Sequence, residues 1–120
     1  MNIKDSILSG KFDETFKNLY SDVSAARERY LKAVDSFVEI FGEREEVMLF
    51  SAPGRTEVGG NHTDHQHGCV LAGSVNLDVI AVVSKNNDNT VRIKSEGFPM
   101  DEVSIFELEK NPEEEGKASA

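Results

Sequence analysis

Two hydrophobic rhythms divide the chain. Phe12, Phe16, Leu19 and Tyr20 fall on one face at helical spacing, and Tyr30, Leu31, Val34, Phe37, Val38 and Phe41 repeat that rhythm further on. The spacing predicts two helices, the second capped by Ser21, Asp22 or Ser24 and ended by Gly42. Aromatic stripes of this kind belong to a core rather than to a cofactor contact. After residue 46 the rhythm changes. The apolar run Val47, Met48, Leu49, Phe50 meets Pro53-Gly54, a strong turn signal that ends it. Leu77 to Ser84 is apolar and rich in β-branched residues, Asn86-Asn87-Asp88-Asn89 marks a turn, and Val91 and Ile93 alternate with Arg92 and Lys94 as a half-buried strand should. Val103, Ile105 and Phe106 predict one more strand after the break at Gly97-Phe98-Pro99. Helices first and strands afterwards read as an α+β fold.

The stretch from Ser51 to His65 carries the candidate chemistry. Gly54 and the Gly59-Gly60 pair are places where backbone can turn or approach a ligand closely, and among them sit Arg55, Asn61, His62, Thr63 and Asp64. An ionised Asp accepts through two oxygens, so Asp64 can take hydrogen bonds from neighbouring hydroxyls, while Arg55 supplies a fixed positive charge and several donors. Asn61 and His62 can each donate and accept. Such a set suits a polyhydroxylated ligand better than a flat apolar one. Taken singly, each residue has a plainer explanation: Arg55 pairing with Glu57, Asn61 serving a turn, Asp64 capping one.

At these residues the chain resembles the galactokinase signature of the GHMP small-molecule kinase family, Gly-Arg-x-Asn-hydrophobic-hydrophobic-Gly-Glu-His-x-Asp-Tyr. Gly54, Arg55, Gly60, His62 and Asp64 stand in the matching places, with Pro53 before them and Gly68, Val70 and Leu71 after. Glu57, Gly59, Asn61 and His65 depart from the pattern, where the family has Asn, a bulky aliphatic, Glu and Tyr. The resemblance therefore carries recognition of a sugar rather than of galactose alone. It implies an ATP-dependent sugar 1-kinase using ATP and Mg²⁺, with Arg55 catalytic beside the anomeric oxygen and Arg55, Asn61, His62, Thr63 and Asp64 binding the sugar. It also implies a partial N-terminal GHMP-kinase domain of the ribosomal protein S5 domain 2-like kind, its helices followed by a mainly antiparallel sheet. On that reading residues 1–45 are a helical lead-in, 46–68 the sugar-binding signature, 69–110 sheet strands and 111–120 an acidic end. The family's second motif, a Gly- and Ser-rich phosphate loop opening a helix, has no counterpart here, so no nucleotide-binding residue is assigned. The chain is expected to be the N-terminal part of a longer protein, inactive alone and prone to self-association through unpaired edges and apolar faces.

Composition narrows the partners. With 13 basic against 22 acidic residues and a net charge of −9, neither a nucleic-acid backbone nor an anionic membrane is an expected partner. The single cysteine, Cys69, cannot form an internal disulfide, and no signal-like or membrane-spanning apolar stretch occurs, so a cytoplasmic location is expected. Two other functions compete: a sugar sensor of galactokinase shape without turnover, and a metal-dependent hydrolase built on His62, Asp64, His65 and His67. The order of those four is not that of a helical His-x-x-x-His site, and no metal ligand is assigned.

Overall fold

A computed structural model describes residues 2–60, 67–106 and 112. They fall into two compact units divided between Ser84 and Lys85.

The first unit contains α1 (Ile3–Leu8), α2 (Asp13–Leu19), α3 (Val23–Phe41), β1 (Met48–Gly59) and β2 (Leu71–Val83). α2 and α3 are the two helices that the spacing predicts. Of the candidate caps, Asp22 is the one used: its carboxylate accepts from the Ala25 N–H at 3.0 Å, and Gly42 follows the last helical residue. α1 is an addition. Its apolar stripe is short, and its start is set by Asn2, whose side chain accepts from the Lys4 N–H at 2.9 Å.

The core of this unit is Ile7, Phe16, Ala26, Tyr30 and Val34, all buried. Phe16 and Tyr30 stack with centroids 5.0 Å apart, joining α2 to α3. Each large side chain fully buried in this way contributes about 1.5–3 kcal/mol. The apolar stripe of α3 is buried only in its first half, since Val38 is 37% exposed while Phe37 and Phe41 are half-buried and lean on each other. Arg27 adds a link from α3 to α2, its Nε donating to Asp13 at 2.7 Å.

β1 and β2 form an antiparallel hairpin paired from Met48–Val83 to Pro53–Asp78, and again from Arg55–Ser74 to Gly59–Leu71. Alternation sorts its two faces. Leu49, Ile80 and Val82 pack against the helical core, whereas Met48, Phe50, Val79 and Val83 lie exposed. The turn expected at Pro53-Gly54 is not there: β1 runs straight through both residues to Gly59. A proline inside a strand removes a ladder donor. Here the carbonyl of Asp78, the residue opposite Pro53, accepts from Arg29 Nη2 at 2.9 Å, and the pairing register shifts at the next residue.

The second unit holds the antiparallel pair β3 (Thr90–Lys94) and β4 (Met100–Ser104), in register from Thr90–Ser104 to Lys94–Met100. The break at Gly97-Phe98-Pro99 is the turn between them, closed by the Phe98 N–H on the Ser95 carbonyl at 3.1 Å. Arg92 bonds across the pair to Glu102 at 2.7 Å and also reaches Asp88. β4 stops at Ser104, so Ile105 and Phe106, expected in a strand, lie beyond it and are exposed. The described residues thus form an α+β fold, helices first and antiparallel pairs after.

Candidate functional site

The described part of the candidate signature, including Gly54, Arg55 and Gly59, occupies the far end of the β1–β2 hairpin. Arg55 sits in β1 opposite Ser74 and is exposed. Its side chain makes no hydrogen bond or ion pair to another described residue, so the pairing with Glu57 that would have explained it structurally is not formed. A guanidinium without a partner among the described residues has donors to offer a ligand.

Two glycines shape the strands around it. Between the Pro53–Asp78 and Arg55–Ser74 pairs, Gly54 alone faces three residues, Val75, Asn76 and Leu77. A side chain at Gly54 would crowd the Val75 side chain at 3.0 Å and the Leu77 carbonyl at 3.2 Å. Gly60, where the chain leaves β1, has φ 106°. A Cβ there would stand 2.7 Å from Val70 Cα and clash with the Cys69 carbonyl. The two ends of the connection between β1 and β2 therefore touch at Gly60, in a conformation that only glycine takes easily. The sugar-binding candidates Asn61, His62, Thr63 and Asp64, and His65 of the metal alternative, lie within this connection and outside the described residues. Among the described residues no group of three or more His, Cys, Asp and Glu side chains converges on a cation site.

At the other end of the register shift lies a cluster that sequence reasoning did not find. Asp78 is only 11% exposed, and its carboxylate accepts from Ser51 Oγ and from the Tyr20 hydroxyl, each at 2.5 Å, and from Arg29 Nη1. Because the Tyr20 proton goes to Asp78, the Tyr30 hydroxyl, 2.8 Å from that of Tyr20, donates to it. Burial pushes the Asp78 carboxyl up, but the bonds from Ser51, Tyr20 and Arg29 outweigh it and hold the group at about 2. Burial, and next the neighbouring Asp78 carboxylate, push the Tyr20 hydroxyl well above the usual phenol range. The cluster floors a shallow groove bordered by Leu19, Asp22, Ala25, Pro53, Asn76 and Leu77. One signal for it was available. A lone aspartate inside the apolar run from Leu77 to Ser84 must be paired if it is buried.

Comparison with known proteins bears on the same stretch. The family described as the galactokinase galactose-binding signature matches residues 35–85, from the middle of α3 through the end of β2. The galactokinase of Lactococcus lactis subsp. lactis (strain IL1403) is 32% identical over 83 residues, 69% of this chain and 21% of that protein. The galactokinase of Candida parapsilosis is 34% identical over 93 residues, 75% of this chain and 18% of that protein. The galactokinase of Lacticaseibacillus casei (strain BL23) is 41% identical over 72 residues, 60% of this chain and 18% of that protein. The matched stretch thus spans about a fifth of the length of these relatives. No solved structure matches. No helix among the described residues is long and apolar enough to cross a membrane.

Proposed function

We propose, from the premise that this chain is a relative of the galactokinases, that it supplies the sugar-holding part of an ATP-dependent sugar 1-kinase acting on the anomeric hydroxyl of galactose or a related sugar. One observation supports this reading: the galactose-binding signature spans residues 35–85 and coincides with a hairpin whose two strands lead into and out of the motif. Asp64 is assigned as acceptor for ring hydroxyls, Asn61 and His62 are assigned to the C6 end of the sugar, Thr63 to sugar binding, and Arg55 to the anomeric oxygen. ATP supplies the phosphoryl group and Mg²⁺ neutralises its charge; no described residue is assigned to either. A fixed guanidinium near the transferring group stabilises the charge that develops in a loose phosphoryl-transfer transition state.

The same proposal extends to the fold, read as a ribosomal protein S5 domain 2-like kinase domain, and to a cytoplasmic location. It holds that the 120 residues by themselves bind sugar without phosphorylating it, since no Gly- and Ser-rich phosphate loop occurs among them. Asn61 replaces a family glutamate, which removes a negative charge and relaxes discrimination against sugars altered at C6. The test offers the full-length protein ATP, Mg²⁺ and, in turn, galactose, galacturonate and 6-deoxygalactose. Formation of sugar 1-phosphate is expected, with Arg55→Lys lowering kcat more than it raises KM, because lysine keeps the charge but not the fork. Absence of product from all three sugars overturns the proposal.

A further inference from the structure

The Asp78 cluster sits where the hairpin changes register. On the helix-backed side of that point, β1 and β2 pair residue for residue; on the other, the pairing resumes at Arg55–Ser74 after three residues of β2 have been passed by one of β1. Among the described residues no third strand lies beside this ladder to fix such a mismatch, and slippage by one residue would move Arg55 to the opposite face. Something must hold the last regular pair, Pro53–Asp78. Proline offers no N–H for this. Arg29 of α3 instead grips Asp78 twice, Nη1 on the carboxylate and Nη2 on the backbone carbonyl. The carboxylate in turn takes the hydroxyl of Ser51, two residues before Pro53 on β1, and that of Tyr20, at the end of α2. One residue of β2 is thereby bonded to β1, to α3 and to the end of α2. Beyond the shift, neither Arg55 nor Ser74 makes a side-chain bond to another described residue.

We infer that Asp78, gripped by Arg29, is a positioning residue that fixes the register of the hairpin and so sets where Arg55 and the signature loop stand. The inference deepens the sugar-kinase reading and rests on it for its functional consequence, but its structural half stands alone. It assigns to Arg29 a role that charge alone does not fill, since only a planar fork reaches both oxygens.

Amide hydrogen exchange on the whole chain tests it, in the parent, in Arg29→Lys and in Asp78→Asn, with galactose affinity read on the same samples. Both variants should speed exchange at Gly54, Arg55, Thr56 and Glu57 by about tenfold while leaving Met48, Leu49 and Phe50 within about twofold of the parent. Galactose affinity should fall by about tenfold in each, although neither residue is one of the sugar-binding candidates. Using two variants keeps the test decisive should one fail to fold. Exchange that rises evenly along the hairpin, or does not rise at all, overturns the positioning role. A parent chain that binds no galactose counts instead against the sugar-site reading, and the exchange pattern still decides the positioning claim.

Discussion

The two ends of the β1–β2 hairpin are built on different terms. The end nearer the helices runs in regular register, buries Leu49, Ile80 and Val82 on the helical core, and is fastened by Asp78. The signature end shifts register twice, at Gly54 and again between Glu57 and Gly59, and leaves Arg55, Val58 and Leu71 exposed. Packing is thus concentrated at one end, and the residues proposed for sugar recognition belong to the other, the usual division between a packed scaffold and a binding segment. If the division is real, damage to each end should be separable.

The largest effect belongs to the packed end. Phe16→Ala removes a buried ring that touches both Tyr20 and Tyr30, and should cost about 3–5 kcal/mol in a denaturant melt. Equal loss from a substitution at the signature end would break the comparison. Acid should act on the same end. The Asp78 carboxyl is held at about 2 in the folded chain, below its ordinary value of 3.8. Its contribution is therefore fully present above about pH 4 and is lost as pH falls toward 2, amounting to roughly 2 kcal/mol. Tyr20 works in the opposite sense, because its hydroxyl is raised: its contribution holds below the ordinary phenol range and fades as pH climbs beyond it. Melts of Asp78→Asn across acid pH should lose that part of the slope, and an unchanged slope would place the acid sensitivity elsewhere.

Smaller effects belong to the signature end. Gly60→Ala forces a side chain against Val70 at a positive φ, and about 1–3 kcal/mol of local strain is expected. Sugar affinity should suffer more than the melting curve, since the strain falls where the connection closes. Arg55→Ala should change stability by less than about 0.5 kcal/mol, since the side chain is exposed and makes no bond to another described residue. A larger loss of stability would make Arg55 structural after all.

What the sequence revealed follows from how far each cause lies along the chain. α2 and α3 were legible because their apolar spacing is local, and Asp22 and Gly42 punctuate α3 in the usual way. α1 was not, since six residues carry too little periodicity to register. Pro53-Gly54 read as a turn on local propensity; the strand continues through both, and the carbonyl of the residue opposite the proline accepts from Arg29, far off in α3. The Asp78 cluster was hidden for the same reason. Its bond to Tyr20 joins residues 58 apart, and Tyr20 looked like an aromatic of the core, where it also belongs. Arg55 was legible from the motif, while its lack of a partner among the described residues needed coordinates. Asn61, His62, Thr63 and Asp64 rest on the motif alone.

The central claim, that the hairpin presents a sugar to be phosphorylated, is tested most directly by titrating the ¹⁵N-labelled chain with galactose and following every backbone amide. Saturable shifts confined to Arg55–Gly60 and the residues through Ser74, lost in Arg55→Ala and leaving Met48–Phe50 still, are the predicted result. Shifts centred on the helical core, or none up to sugar concentrations well above about 10 mM, far beyond the usual range of substrate affinity, would contradict it.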